Sequence, residues 1–357
     1  MGWTALSFAR IFHAMQSRSL VATTVVAWLA ASLALLAAAP LPALRVEGNR
    51  FVDAAGRTVI LRGLNAADPD KLARDGQWNE RYFQEMARWG ANVVRIPVHP
   101  AAWRSRGSDA YLDLLDRGVD WAEQHGLYVV IDWHSIGNLK ERKFQHAMYE
   151  TDIDETIQFW KTIAKRYQGR AVVAFYELFN EPTVSGPRFG SMTWPEWKEI
   201  LVRIIAAVRR EDPAKIVLVA GFDWAYDLRP VAENPLDAPN VAYVSHPYPQ
   251  KRQPPWEEKW EADWGFVADE YPVFLTEVGF CLEDEPGAHI PVISDESYGR
   301  ALTAYAEKKG VSWAAWVFDV DWSPMLISDW NFTPTTQGRF FKTYLQRWAG
   351  RNEAAGR

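Results

Sequence analysis

From Leu44 onward, short runs that are apolar almost throughout alternate with longer stretches in which apolar residues recur every three or four positions. The runs are TVILRGLN (58–65), NVVRIPV (92–98), LYVVIDWH (127–134), AVVAFYELFN (171–180), KIVLVAG (215–221), VAYVSHPY (241–248), PVFLTEVG (272–279) and VSWAAWVF (311–318). Continuous apolarity, rather than strict alternation, marks strands of a parallel sheet that helices cover on both faces. Between the runs, the spacing predicts helices over 78–89, 110–125, 152–167, 195–209, 259–270, 297–309 and 336–347. In the second of these, Leu112, Leu115, Val119 and Ala122 share one face. Eight strand–helix units in roughly 310 residues fit a (β/α)8 TIM barrel. An open doubly wound sheet is the alternative, but it would show fewer strands and a GxGxxG turn in its first unit. Ahead of the first long strand, LRVEGNRFVDAAG carries Gly and Asn where reversals need them, and predicts a short N-terminal β-hairpin.

The first 43 residues follow a different pattern. Arg10 and Arg18 precede a run from Ser19 to Leu44 without a single charge. An apolar span of about 20 residues is long enough to cross a bilayer, and a basic flank before an apolar stretch is also the plan of a secretory signal. Residues 1–43 are therefore expected to be a signal peptide or an N-terminal membrane anchor. The product would be exported: secreted, periplasmic or attached to the outer face of the cytoplasmic membrane. Residues 44–350 form the expected catalytic domain and 351–357 a C-terminal tail.

Composition narrows the chemistry. With 48% hydrophobic and 24% charged residues the chain is ordinary for a globular protein. A net charge of -6 with no basic stripe argues against nucleic acid as a partner. One cysteine, Cys281, leaves no intrachain disulfide. The absence of CxxC and HExxH argues against zinc, and that of GxGxxG and GxxxxGK[ST] against a nucleotide, so no metal or cofactor is expected. A monomer is expected.

In a barrel of this kind the site lies at the C-terminal ends of the strands. Polar residues gather there: Arg95 on the second strand, Asp132-Trp133-His134 on the third, Asn180-Glu181-Pro182 on the fourth, His246-Pro247-Tyr248 on the sixth, Glu277 on the seventh, and Trp316 and Asp319 on and after the eighth. Glu181 and Glu277 stand on strands that face each other across the mouth. Cleavage of a glycosidic bond needs a proton for the leaving oxygen and a carboxylate for the anomeric carbon, and two facing carboxylates supply both. Glu181 has to start protonated, and a nearby Glu277 and partial burial would raise its pKa; Arg95 would favour a charged Glu277. Glu177, four residues before Glu181, is the rival carboxylate, expected deeper in the barrel. Asp132 is expected to make structural hydrogen bonds under the site, while Trp133 is open to packing or to substrate contact. Among 19 tryptophans, Trp103, Trp194, Trp224, Trp256 and Trp322 fall in loops on the catalytic side. Together they suggest aromatic platforms along a groove.

The segments RIPV, DWH, AFYELFNEP and PVFLTEVG, in this order along the chain, resemble the cellulase-type retaining enzymes of glycoside hydrolase family 5, over about Leu44 to Gln346. The resemblance implies that Glu181 is the general acid/base and Glu277 the nucleophile. It further implies that Asn180 holds the sugar 2-hydroxyl, Arg95 bonds the nucleophile region and His134 lines the subsite beside the cleavage point. His246 would orient Glu181, Tyr248 would touch Glu277, and Trp316 would form the stacking floor of the glycone subsite. The implied substrate is a β-linked oligo- or polysaccharide, with β-1,4-glucan first. β-Mannan, mixed-linkage or β-1,3-glucan, an exopolysaccharide and a glycolipid headgroup stand as alternatives. A non-catalytic carbohydrate-binding barrel should lack one of the glutamates. A metal-dependent amidohydrolase should show clustered histidines, whereas the chain has 7 histidines and no HxH pair.

Overall fold

Leu44 and the hairpin Arg45–Glu47/Arg50–Val52 open the folded chain, which turns back on itself at Gly48 with φ of 60°. In the computed structural model, which describes residues 40–184 and 186–355, this hairpin does more than lead into the first strand. Phe51 meets Phe175 edge-on at 5.0 Å and Phe274 at 6.4 Å, and with Leu44 it joins the apolar cluster at the N-terminal ends of the barrel strands. The hairpin therefore closes the bottom of the barrel, and the mouth lies at the other end.

The barrel strands are Arg62–Asn65, Val93–Val98, Tyr128–Trp133, Val173–Glu177, Ile216–Ala220, Val241–Val244, Val273–Val278 and Ser312–Ala315. Each runs parallel to the next, and the eighth pairs with the first, so the sheet is closed with no edge. Side chains alternate along each strand. Val130, Ile216, Leu218, Val244 and Phe274 fill the interior, while Val129, Ile131, Val217, Val219, Tyr243 and Leu275 pack outward under the helices. Gly63 in the first strand permits a close approach, since a Cβ there would lie 1.9 Å from the Val93 carbonyl oxygen.

The expected helices form, with capped ends. Asn79 and Asp152 accept backbone N–H bonds at the starts of Glu80–Arg88 and Ile153–Tyr167, and Thr193 with Glu196 closes a capping box on Trp194–Glu211. The helix expected over 259–270 is broken in two, an α-helix Glu257–Asp263 and a 3-10 turn Gly265–Asp269. At Gly265 a Cβ would fall 1.9 Å from the Tyr305 hydroxyl. The last helix runs from Thr336 to Ala355, past the boundary expected at 350. Glu353, Ala354 and Ala355 are good helix formers and nothing in them stops it. Two further helices, Pro69–Arg74 and Pro100–Arg106, follow the first and second strands and are too short to leave a periodic signal. Among the described residues no helix is long and apolar enough to cross a membrane. The expected targeting segment lies, as far as residue 39, outside the described residues.

Candidate active site

The strand register sets the floor of the mouth. Asn65 pairs with Arg95, and Asp132 with Glu177, so these four polar side chains enter the barrel at neighbouring heights. Arg95 is fully buried and is the hub. It donates to both oxygens of Glu177 at 2.7 and 3.0 Å, to Asn65 Oδ1 at 3.0 Å, to Asn180 Oδ1 at 2.6 Å and to Glu277 Oε1 at 3.0 Å. Asp132 Oδ2 is also 3.0 Å from this guanidinium. Burial works against the charge on Glu177, but Arg95 outweighs it and holds that carboxyl below its ordinary value. Glu177 is thus a buried counter-ion with no exposed surface, and the expectation of a deeper structural role is met.

A small sheet that left no trace in the sequence pattern holds the acid/base candidate. Glu181–Pro182 pairs in parallel with Ile136–Gly137 from the loop after the third strand, and that loop folds back as Lys143–Phe144. The Asn180 and Glu181 backbone N–H groups donate to the carbonyls of Trp133 and Ser135 at 3.1 and 3.0 Å. Both side chains are therefore fixed from below. Asn180 Nδ2 is buried and has no partner among the described residues, an unused donor at the cavity wall.

Glu181 and Glu277 keep 8% and 4% exposure and line one cavity of about 540 Å³. An oxygen of each lies within 4.8 Å of the other and of a His246 nitrogen. Tyr248 donates its hydroxyl to Glu277 Oε2 at 2.8 Å. His246 Nδ1 is 2.9 Å from Glu181 Oε1, and its Nε2 is 2.9 Å from Thr276 Oγ1, which donates to Glu177. Burial opposes charge on this ring, but the carboxylates of Glu277, Glu177 and Glu181 outweigh it and push His246 up to about 9. Burial raises the Glu277 carboxyl, with His246 and Arg95 pulling against it. Glu181, His246 and Glu277 are close enough to offer ligands to a metal ion. Both His246 nitrogens are, however, already engaged by side chains.

His134 Nδ1 is 2.6 Å from Asp132 Oδ2, and burial pushes the ring well below its ordinary pKa, so it is neutral. It lies parallel to Trp316 at 5.3 Å, and both line the cavity. Trp316 donates its indole N–H to the Ser323 carbonyl at 3.2 Å. The eight residues to which the family resemblance gives roles thus meet in one place. Trp133 does not. It is fully buried on the outer face of the third strand, stacked on Phe159 at 4.1 Å with its N–H on Thr156. The cause is the two-residue period: Asp132 points into the barrel, so Trp133 points at the helices.

The loop tryptophans divide in the same way. Trp103 packs between Tyr111 and Phe159, Trp194 against Phe222, and Trp256 against Trp260 and Tyr298. These three are buried packing residues, not platforms. Trp224 lines the cavity and Trp322 runs parallel to Trp316 at 6.2 Å. Trp224 sits in three consecutive left-handed residues, Asp223, Trp224 and Ala225, at φ 54–58°. Side chains disfavour that region by roughly 1–2 kcal/mol each, so the surroundings must hold the turn. Lys251 does so, donating to the Asp223 carbonyl at 2.7 Å and lying 4.8 Å from the Trp224 ring, while Trp224 donates to Gln145 at 2.7 Å. Gln145, Tyr149, Lys251 and Ile290 are among the other residues of the wall, and sequence reading missed all four. They stand in loops or single 3-10 turns, where residue type without periodicity is no signal.

The family model described as Cellulase (glycosyl hydrolase family 5) matches residues 52–321. Endoglucanase A of Butyrivibrio fibrisolvens is 26% identical over 290 residues, 76% of this chain and 59% of that protein. Endoglucanase 5 of Pectobacterium carotovorum is 27% identical over 234 residues, 64% of this chain and 43% of that one. The chain spans about half the length of these curated relatives. Among solved structures, the β-glucanase SdGluc5_26A from Saccharophagus degradans is 46% identical, with a TM-score of 0.86 over 87% of this chain and 95% of that one. The catalytic domain of Thermobifida fusca endoglucanase Cel5A, 21% identical with a TM-score of 0.69 over 85% and 97%, shares the fold. With the match covering most of its barrel and the two glutamates facing each other across the mouth, the chain belongs to glycosyl hydrolase family 5.

Proposed function

We propose that the protein is a retaining endo-acting β-glucan hydrolase that works by double displacement. The observation that carries this reading is the approach of the Glu181 and Glu277 carboxylates to within 4.8 Å. Retaining enzymes hold this pair about 5–5.5 Å apart, whereas inverting ones need about 6.5–9.5 Å to seat a water between them. In the first step Glu277 attacks the anomeric carbon while Glu181 protonates the departing glycosidic oxygen. Arg95 and Tyr248 each hold one oxygen of Glu277, which fixes the direction of its attack. The unpartnered Asn180 amide is placed to donate to the sugar 2-hydroxyl, and Trp316 offers its face to the glycone ring. Esterification removes the charge of Glu277, and Glu181 then takes the proton of the attacking water. β-1,4-Glucan is the substrate of choice, supported by relatives named endoglucanases and by the 46% identical β-glucanase, whose structure is known with cellotetraose. We infer as well that the chain acts as a monomer and is exported, the latter on the uncharged run from Ser19 to Leu44.

Digestion of defined β-linked gluco-oligosaccharides, with the anomer of the first product read by NMR, tests this function. Retention is expected, and a 2-fluoro sugar should label Glu277. Glu181→Ala should lose about 10²–10⁴-fold on natural glucan. It should keep the first step on an activated aryl glycoside, and azide should then release a product of retained configuration. An inverted wild-type product, or a label on any other residue, overturns the assignment.

A further inference from the structure

His99 follows the second barrel strand and has no part in the mechanism above. Its ring keeps 3% exposure. Asp68 Oδ2 accepts from the His99 backbone N–H at 2.9 Å and lies 2.9 Å from its Nδ1. A carboxylate can only accept, so Nδ1 carries the proton, and in the neutral ring Nε2 is left as an acceptor. Among the described residues Nε2 has no hydrogen-bond partner. Three other rings stand around that of His99, with centroids at 4.7 Å for His134, 5.2 Å for Trp322 and 5.6 Å for Tyr149. Two of these, His134 and Tyr149, line the catalytic cavity. An acceptor held in a fixed direction, on a ring that keeps some exposure, is open to a ligand's hydroxyl.

The direction of the substrate says what that is. Glu181 must stand on the leaving-group side, and the fourth, fifth and sixth strand loops bring Trp224 and Lys251 there. The glycone then lies over Trp316 and continues away from them, toward the loops of the eighth and second strands that carry Trp322 and His99. Trp322, parallel to Trp316 one ring further on, is fixed by its backbone N–H on Asp319, which in turn pairs with Lys71 at 2.9 Å. We propose that His99, oriented by Asp68, is a specificity-determining residue of the second glycone subsite, where its Nε2 accepts a hydroxyl of the β-linked glucosyl unit lying beside Trp322. This deepens the β-glucan hydrolase reading and rests on it.

The test compares 2,4-dinitrophenyl β-glucoside, which fills only the first glycone subsite, with the β-cellobioside, which fills both. His99→Phe keeps a ring and removes the acceptor, and His99→Gln keeps a polar group should the first variant fold poorly. Using the ratio of the two kcat/KM values within one preparation cancels any difference in folded fraction. The expected result is a drop in that ratio of about tenfold in His99→Phe, the size of one lost hydrogen bond, and a smaller drop in His99→Gln. An unchanged ratio in either variant, whether both substrates slow equally or neither does, overturns the proposal. A wild-type protein that fails to cleave the cellobioside overturns the hydrolase reading itself, and this inference with it.

Discussion

At Arg95 a single guanidinium holds Glu177, Asp132 and Glu277, and a second cation, His246, balances the same acidic floor. The two cations differ in what pH can do to them: arginine keeps its proton, whereas histidine at about 9 does not. The folded value lies above the ordinary 6.5, so the folded state binds this proton more tightly than the unfolded one. The resulting stabilisation is fully present below the ordinary value and is lost as pH rises through about 9. Its size is on the order of 3 kcal/mol for a fully buried ring. The measurement is the difference in unfolding free energy between wild type and His246→Gln, from about pH 6 to about pH 9.5. That difference should be largest at the acid end and shrink toward the alkaline end; a flat difference contradicts a charged His246. Residues of this kind are legible in the sequence, because Arg95, Asn180, Glu181, His246 and Glu277 interrupt or close apolar runs, and a polar residue at a strand end needs a reason. His99 and Lys251 are not. Each lies in a loop whose course, and hence whose neighbours, no periodicity records.

The same period that reveals the strands decides which side of them a residue serves, and Trp133 shows what happens when it is not followed to the end. Asp132 inward requires Trp133 outward. Beside the cavity-lining His134, an aromatic residue looks like a sugar platform, yet this one stacks on Phe159 beneath the helix Ile153–Tyr167. Trp133→Phe should therefore lower stability by about 1–3 kcal/mol, through lost volume and the lost indole N–H bond to Thr156. KM for cello-oligosaccharides should stay within about twofold. Thermal unfolding beside steady-state kinetics separates the two effects, and a tenfold rise in KM with unchanged stability would restore Trp133 to the site. Elements with long-range partners are the least legible. The small sheet that fixes Asn180 and Glu181 joins residues some 45 positions apart through strands of three and two residues, too short for alternation to register. Where the predicted 259–270 helix breaks, Gly265 packs against Tyr305, a contact that only the packed barrel supplies.

Over the whole molecule, chemistry and closure sit at opposite ends of the barrel. The mouth holds the carboxylates, and the bottom is sealed by Leu44 and Phe51 among Phe175, Ile216 and Phe274. The described chain enters at this lower end, where Tyr128 donates its hydroxyl to the Pro42 carbonyl at 2.8 Å. The hairpin therefore belongs to the folded domain, while the uncharged run that ends at Leu44 is, on our reading, the export signal. The two roles meet within a few residues, and truncation separates them. A protein that begins at Pro40 should fold and keep its kcat/KM, since everything the barrel uses is present. A protein that begins at Ala54 loses Leu44 and Phe51 together and uncaps the interior; Phe51→Ala alone should cost about 3–5 kcal/mol, as large-to-small changes of buried aromatics do. If the Ala54 start is as stable as the Pro40 start, the hairpin is not a plug. In the host, fractionation with N-terminal sequencing tests the other half. The expected outcome is a chain found outside the cytoplasm, either shortened within the region up to Leu44 or intact in the membrane fraction. A cut beyond Phe51 would remove the seal, so cleavage is expected to stop short of the hairpin. Intact Met1 on a soluble cytoplasmic protein would refute export.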